Sequence, residues 1–200
     1  MIYETIEILR EQVANYLDEN GLGENNVAVG NVAQFKDDPE DANQELDDKV
    51  IITLLNMEEE TALKNKRFPT IENDRFINQN NPVHLNLYLL LCCNRNDYAS
   101  SLRTLSAIIE FFQGKQVFTQ TNTVFSKNTT IMQAIDNFKF SVSLKTTSFE
   151  ELNHIWGSLG GRSYPSAVYK LSLLQLQRKH TLGITERITI VDTTLANKNQ

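Results

Sequence analysis

Apolar residues recur first at helical spacing and then at strand spacing along the first half of the chain. Residues 2–19 predict an amphipathic helix that packs on a core, and Asn20-Gly21 is a fitting stop. Its apolar stripe consists of Ile2, Ile6, Leu9, Val13 and Leu17. Residues 50–57 and 83–94 are rich in apolar residues, which predicts two strands with buried faces. Because a long connection joins these strands, we expect them to form a large hairpin.

A second amphipathic helix is predicted over residues 98–113. Asp97 is a suitable N-cap, and Gly114 is a suitable end. We expect one core-facing stripe, formed by Tyr98, Leu102, Leu105, Ile109 and Phe112 and widened by Ile108 and Phe111. Residues 116–125 have strand character, and residues 185–191 predict a final short strand.

The clearest strand pattern is the strict alternation of apolar and polar residues over 138–145. It predicts a sheet strand with one face open to solvent or to a partner. Ser148 and Glu151 then match a capping box, so a helix is expected to begin there. Residues 167–177 form the next predicted strand, and its alternation changes phase at Leu173–Leu174. One extra residue produces such a change, so we expect a β-bulge at that point.

A joint rich in glycine connects this last helix to the strand that follows it. The helix is predicted to end before Gly160-Gly161, and Pro165 disfavours helix at the residue preceding it. Trp156, the only tryptophan of the chain, falls on the apolar face of the helix. The glycines follow a helix and do not open one, so they are not expected to direct a helix N-terminus at a phosphate.

The segment 58–81 is long, polar and rich in asparagine, which is unusual inside a compact domain. We expect either a surface loop or an extended arm that contacts a partner. The candidate contact residues are those that bring positive charge or aromatic surface to the segment: Lys64, Lys66, Arg67, Phe68, Arg75 and Phe76. The chain is expected to form a single domain over 1–192, from which the segment at about 58–81 protrudes, and residues 193–200 are expected to be a flexible tail.

The net charge of −6 and the isoelectric point of about 5.1 limit the classes of partner. An acidic surface argues against nucleic acid as the main partner and against a polybasic membrane-binding surface. The chain opens without a secretory signal pattern, and its apolar runs are far shorter than the roughly 18 residues of a membrane span. We therefore expect synthesis in the cytoplasm and no direct membrane insertion.

Residues suited to catalysis are present but do not form a known pattern. His84, His154 and His180 are far apart in sequence, and none has a second ligand at metal spacing. Cys92 and Cys93 are neighbours on a predicted strand, where two buried thiols are favoured over a redox pair. The acidic run at 37–48 lacks the ligand spacing and the central glycine of a calcium loop, so a solvated loop is favoured. We expect no enzyme activity, no cofactor and no metal site.

The joint also carries a family resemblance. The series S-F-E-E-L, H-I-W-G-S-L-G-G and Y-P-S-A-V-Y-K over 148–170 resembles the N-terminal domain of the cap, or tail-terminator, proteins of phage-tail-like contractile injection systems. The antifeeding-prophage and virulence-cassette particles are the type examples. The N-terminal helix, the strand with L-N-L-Y-L-L-L and the helix with Y-A-S-S-L-R come in the same order, so the resemblance spans roughly the whole chain. This chain departs from the family by its insertion at 58–81, and larger members carry additional C-terminal sequence.

The resemblance implies a structural role and a specific fold. The implied fold is a phage tail-terminator-like α+β domain, with a mainly antiparallel sheet of about four to six strands and two to four helices packed on it. Family members resemble phage terminators, which form a six-fold ring that closes the end of the inner tube and contacts the last sheath ring. The resemblance therefore also implies that the protein controls the length of the tube and stabilises the extended sheath. The residues that match the joint of the family, and that we expect to specify the fold, are Trp156, Leu159, Gly160, Pro165, Ser166 and Tyr169.

Two other functions remain open from the sequence. The chain could be a non-catalytic adaptor in another bacterial assembly, in which case it would bind proteins other than tube and sheath. It could also be a small enzyme, in which case substitution of the histidines would abolish an activity.

Overall fold

The computed structural model describes residues 2–23, 26–34, 46–60, 70–72, 75–79, 83–126, 132, 138–176 and 181–186. Three α-helices lie in this part of the chain: α1 (Ile2–Glu19), α2 (Tyr98–Gly114) and α3 (Phe149–Ser158). The strands are β1 (Val27–Val29), β2 (Lys49–Glu59), β3 (Thr70–Glu72), β4 (Arg75–Gln79), β5 (Val83–Asn94), β6 (Val117–Thr119), β7 (Lys139–Leu144), β8 (Ser166–Leu176) and β9 (Thr181–Glu186). A short 3-10 helix covers Val32–Gln34.

Six strands form the main sheet in the order β1-β2-β5-β8-β7-β6. Every pairing in it is antiparallel except that of β1 with β2, which is parallel. The predicted hairpin of the two apolar strands is confirmed by the pairing of β2 with β5. A separate three-stranded sheet has the order β3-β4-β9. The α+β class, the mainly antiparallel sheet and the predicted numbers of strands and helices are therefore confirmed.

The main sheet carries helices on both faces because its central strands are apolar at consecutive positions. On β5, Leu89 and Leu91 point to one face and pack in the core cluster that includes α1 and α2. Leu90 and Cys92 point to the other face and pack in the cluster that includes α3. Consecutive side chains of a strand alternate between faces, so a continuous apolar run needs a cover on each side.

Two β-bulges interrupt the regular pairing of the main sheet. On β8, Leu171 pairs with Leu87 and Leu174 pairs with Leu85, so two residues of β8 lie opposite one residue of β5. The predicted bulge is therefore confirmed, within one residue of the expected position. On β2, Leu54 pairs with Leu89 and Asn56 with Tyr88, which leaves Leu55 as an extra residue. This second bulge was not predicted.

The predicted core stripe of α2 was right for one side of the helix, where Ile108 and Phe112 are buried and Leu105 and Phe111 pack partly buried against the core, and wrong for the other side. The buried residues are Ser101, Thr104, Ala107, Ile108 and Phe112. Small side chains at three of these positions let the helix lie close to the sheet. Three bulky residues of the predicted stripe lie instead on the flank of the helix, where Tyr98 is 70% exposed, Leu102 43% and Ile109 40%.

Two strand predictions need correction in their bounds. Strand structure after α2 is limited to Val117–Thr119, because the chain turns at Thr121 and Asn122. The last described strand, Thr181–Glu186, begins before the predicted 185–191, and residues 187–191 lie outside the described part of the chain.

One arginine connects three loops at the end of the sheet. The Arg95 guanidinium donates to the carbonyl oxygen of Asp48 at 2.6 Å and to that of Leu22 at 2.8 Å. Its Nε lies 3.7 Å from a carboxylate oxygen of Asp48, and the side chain is only 11% exposed. Arg95 therefore links the end of α1, the start of β2 and the connection from β5 to α2.

Candidate interaction surfaces

The joint between α3 and β8 is built around a buried tryptophan. Trp156 is 5% exposed and packs with Ile51, Leu90 and Val168 on the α3 face of the sheet. Its ring lies 6.0 Å from that of Tyr164. The capping box at the start of α3 is confirmed, since the Ser148 side chain accepts from the Glu151 amide while the Glu151 carboxylate accepts from the Ser148 amide. Contacts among residues far apart in sequence therefore hold α3 on the sheet.

The end of α3 needs the two glycines of the joint. Gly160 has φ +101° and Gly161 has φ +81°, a region that strains residues with a side chain. The Gly161 amide donates to the Trp156 carbonyl at 2.7 Å, which gives the hydrogen bond of a Schellman motif with Leu159 as the C-cap. The chain leaves this motif directly towards the sheet.

The remaining joint residues bring the chain back into the sheet. The Pro165 carbonyl accepts from the Cys93 amide at 2.9 Å, and Ser166 pairs with Cys92 at the start of β8. The Tyr169 side chain is 1% exposed and packs on the opposite face from Trp156, with its ring 4.5 Å from that of Phe112. The joint residues do not converge on one pocket. Their role in specifying the fold stays a prediction.

The predicted arm residues are only partly described. Lys64, Lys66, Arg67 and Phe68 lie outside the described residues. Arg75 and Phe76 belong to β4, whose backbone pairs with β3 on one side and with β9 on the other. The segment after β2 thus contributes strands to the second sheet, and its role as an interface arm stays a prediction.

The two cysteines of the chain lie next to each other on β5. Both cysteines are free and buried, and burial raises the pKa of each thiol to about 12. Within the described ranges, no cluster of His, Cys, Asp and Glu has the geometry of a metal site. No helix in those ranges has the length and apolar character to cross a membrane.

A groove of about 410 Å³, lined by both apolar and polar side chains, lies on the α3 face of the sheet. The Tyr88 hydroxyl donates to Glu58 at 2.8 Å, and this hydrogen bond is the main reason that the pKa of Tyr88 is raised. Lys145 forms an ion pair with Glu151 at 3.1 Å. Because these groups bind one another at an exposed surface, the groove is better suited to protein contact than to acid–base chemistry.

An apolar surface lies along the flank of α2. Tyr98, Leu102, Leu105 and Ile109 follow the spacing of the a and d positions of a heptad repeat, so their side chains form one row. Three of them are exposed, and Leu105 is half-buried. We name this row the α2 stripe. The spacing of its members along the sequence predicts one stripe, but it places that stripe in the core.

The two edges of the main sheet differ in their hydrogen bonding. At the β6 edge, the Asn122 side chain donates to the Val117 carbonyl at 2.9 Å and accepts from the Thr119 amide at 2.8 Å. The Asn122 amide also donates to the Thr119 carbonyl at 3.2 Å. One residue thus occupies the Val117 carbonyl and both backbone groups of Thr119, and such outward groups of an edge strand are otherwise a template for pairing with another chain.

The opposite edge is covered along only part of its length. Strand β1 pairs with residues 50–52 of β2, and the Gly30 amide donates to the Ile52 carbonyl at 3.2 Å. Within the described ranges, no strand pairs with β2 beyond that point on this side. We name residues 54–58 the β2 edge. A groove of about 470 Å³ lies beside it, lined by residues of β1, β2 and the end of α3 that include Val29, Leu54 and Leu159.

A sheet with helices on both faces, an exposed apolar helix flank and a partly covered edge define an α+β domain with surfaces suited to contact with other proteins. The chain belongs to the Pvc16 N-terminal domain family, whose sequence profile matches residues 4–189. No curated protein sequence matches the chain.

The fold is shared with solved structures of other proteins. The chain resembles the sheath/tube terminator of PVC, an extracellular contractile injection system, in its extended state, with a TM-score of 0.63 at 13% identity over 100% of this chain. It also resembles the tube-terminating cap of the anti-feeding prophage, with a TM-score of 0.55 at 14% identity over 92% of this chain. The matches span 64% and 60% of those two proteins, so each of them has additional sequence.

Proposed function

We propose that this chain is a terminator subunit of a contractile injection system. In this role it forms a homo-oligomeric ring, with six subunits, that closes the end of the inner tube and contacts the last sheath ring. The observation that carries the proposal is the shared fold with a sheath/tube terminator over the whole chain, together with family membership. The chain would be made in the cytoplasm and assembled there into the particle.

The surface of the domain supports assembly into a ring. A closed ring with one kind of subunit joins two different surfaces of neighbouring copies. The α2 stripe is a contiguous apolar row on an otherwise polar helix flank, and such rows commonly mark protein contacts. We assign it to the contact between subunits, where it would pack against a different face of the next copy.

Substitutions in the α2 stripe test this contact. Leu102→Glu and Ile109→Glu place a charge on side chains that are 43% and 40% exposed, so the fold should survive. We expect both variants to lose the ring in negative-stain images and to have a monomer mass in solution. The control is Val124→Glu, which adds the same charge at a residue that is 89% exposed and outside the stripe. If all three variants form rings, the stripe is not the subunit contact.

Deletion of the gene tests the function itself. Particles that lack a terminator should have tubes of irregular length and sheaths that do not stay extended. Particles of normal length and stability would contradict the proposal. Recovery of partners unrelated to tube and sheath would instead indicate an adaptor in another assembly.

The arm can be tested without disturbing β2. The Glu60 amide donates to the His84 carbonyl at 2.8 Å, so these two residues face each other at the end of the hairpin. Replacing residues 61–83 with Asn-Gly would join the strands by a tight turn. We expect a folded domain that no longer assembles. If this variant still forms rings and caps particles, the arm is dispensable for assembly.

A further inference from the structure

We propose that the β2 edge binds an extended segment of another protein by adding it to the main sheet as a strand. The segment alternates apolar residues with basic ones. This inference deepens the proposed function, because a tube or sheath protein would supply the segment.

The backbone of the β2 edge is oriented for such pairing. The Val50 amide and the Ile52 carbonyl both point towards β1, as their hydrogen bonds to Asn26 and Gly30 require. Backbone direction alternates along a strand, so Leu54 points to the same side, where β1 has ended. The adjacent groove of about 470 Å³ is lined by Val29 at the end of β1 and by Leu54 of β2. An incoming strand would therefore extend the sheet in the line of β1.

The contrast with the other edge strengthens this assignment. At β6 the side chain and the amide of Asn122 bind the outward groups of the strand. At the β2 edge the Asn56 side chain covers one backbone amide, that of the neighbouring Met57, at 2.9 Å, and within the described ranges no backbone hydrogen bond outside the β2–β5 pairing reaches Leu54. Protection against strand pairing is thus more extensive at the β6 edge, where one residue makes three such bonds, than at the β2 edge, where one is made.

The side chains of the β2 edge define the chemistry of the segment. Leu54 and Met57 lie opposite Leu89 and Leu87 and share their face of the sheet, where they are 36% and 53% exposed. Apolar residues of an added strand would pack there. The other face carries polar groups, including Glu58, and the chain has a net charge of −6. Charge complementarity therefore favours Lys or Arg at the alternate positions, and it disfavours a second copy of this acidic chain.

Four synthetic peptides test the inference with the full chain. The first alternates Val with Lys over eight residues, and the second replaces Lys with Glu. The third has the same residues as the first, but its Val and Lys residues are grouped in two separate blocks. The fourth is the first peptide with N-methyl groups on alternate residues, which prevents strand pairing. Binding is followed by NMR, with the exchange rate of each backbone amide as the second readout.

We expect the first peptide alone to slow exchange of the Leu54 amide, by about tenfold at roughly nine times its Kd. Met57→Lys should weaken binding by at least about tenfold, because it replaces apolar contact with like charge. The matched control is Val117→Lys, at the edge that Asn122 occupies, where the side chain is 43% exposed. This variant should bind the peptide normally.

Other results would overturn the inference. One such result is equal binding of all four peptides, and another is an equal loss of peptide affinity in Met57→Lys and Val117→Lys. A third is slow exchange of the Leu54 amide in the free protein, because another segment of the same chain would then cover the edge. A chain that self-associates through this edge would replace the partner with a second copy. Particle assembly separates the two proposals: normal capping by Met57→Lys refutes the strand addition but leaves the terminator function standing.

Discussion

Replacement of the single tryptophan gives the sharpest test of how α3 is held on the sheet. Trp156 is 5% exposed, and within the described residues its indole nitrogen has no hydrogen-bond acceptor. The side chain therefore contributes through packing while its N–H lowers the stability of the native state. Trp156→Ala removes the packing and leaves a cavity, which costs about 3–5 kcal/mol.

Trp156→Phe separates the two effects. It keeps most of the apolar volume and removes a buried donor whose lack of a partner costs about 1–3 kcal/mol. The smaller ring lowers stability, and removal of the unpaired N–H raises it. Because these two effects largely offset each other, we expect the free energy of unfolding to change by less than about 1 kcal/mol. The two variants should thus differ by several kcal/mol at the same position.

Urea unfolding followed by far-ultraviolet circular dichroism measures these differences at a fixed protein concentration. For a chain of this size, Trp156→Ala should also lower the Tm by about 6–20 °C. Phe149→Ala is the control, since this aromatic residue lies on the same helix and is 92% exposed; it should change stability by less than about 0.5 kcal/mol. If Trp156→Phe is as destabilising as Trp156→Ala, the indole N–H has a partner in solution and the reasoning fails.

Three further substitutions or conditions have predicted outcomes. Arg95→Ala should lower the free energy of unfolding by about 2–4 kcal/mol, because two charge-assisted hydrogen bonds to carbonyls are lost. Chemical denaturation measures this change, and a smaller one would contradict the role given to Arg95. Burial raises the pKa of the Cys92 and Cys93 thiols from 9.0 to about 12, so the native state binds more protons than the unfolded state in that interval. Stability should therefore fall as the pH rises from about 9 to 12, and replacing both cysteines with alanine should flatten this dependence in pH-dependent urea titrations. Asn122→Ala should expose the β6 edge and increase self-association in light scattering, whereas unchanged association would show that the edge is protected by other means.

Structural features that depend on neighbouring residues could be predicted from the sequence. Asp97 caps α2 by accepting from the amides of Ala99 and Ser100, and the bounds of the strand at 83–94 match β5. The capping box at Ser148 and the bulge on β8 are also local features. Each is encoded within a few residues, either by a side chain that binds an adjacent amide or by a change in alternation.

The features that form the candidate surfaces depend on residues far apart in sequence. The face that α2 turns towards the sheet depends on how closely Ser101, Thr104 and Ala107 approach it. The positions of the bulky residues in the sequence do not reveal this close approach. The link from Arg95 to Leu22 joins positions 73 apart. Whether an edge is covered depends on strand order, and strand order is set by packing of the whole domain.

The joint and the β2 edge meet at the end of α3. Ser158 and Leu159 line the groove beside the β2 edge, while Trp156, one turn earlier, anchors the helix in the core. The Schellman motif at Gly160 and Gly161 ends α3 at this point, so the helix does not extend across the groove. The glycines thus position α3 against the sheet and also determine how much of the groove stays open. A substitution there would affect partner binding through the shape of the groove, even if the joint makes no contact with the partner.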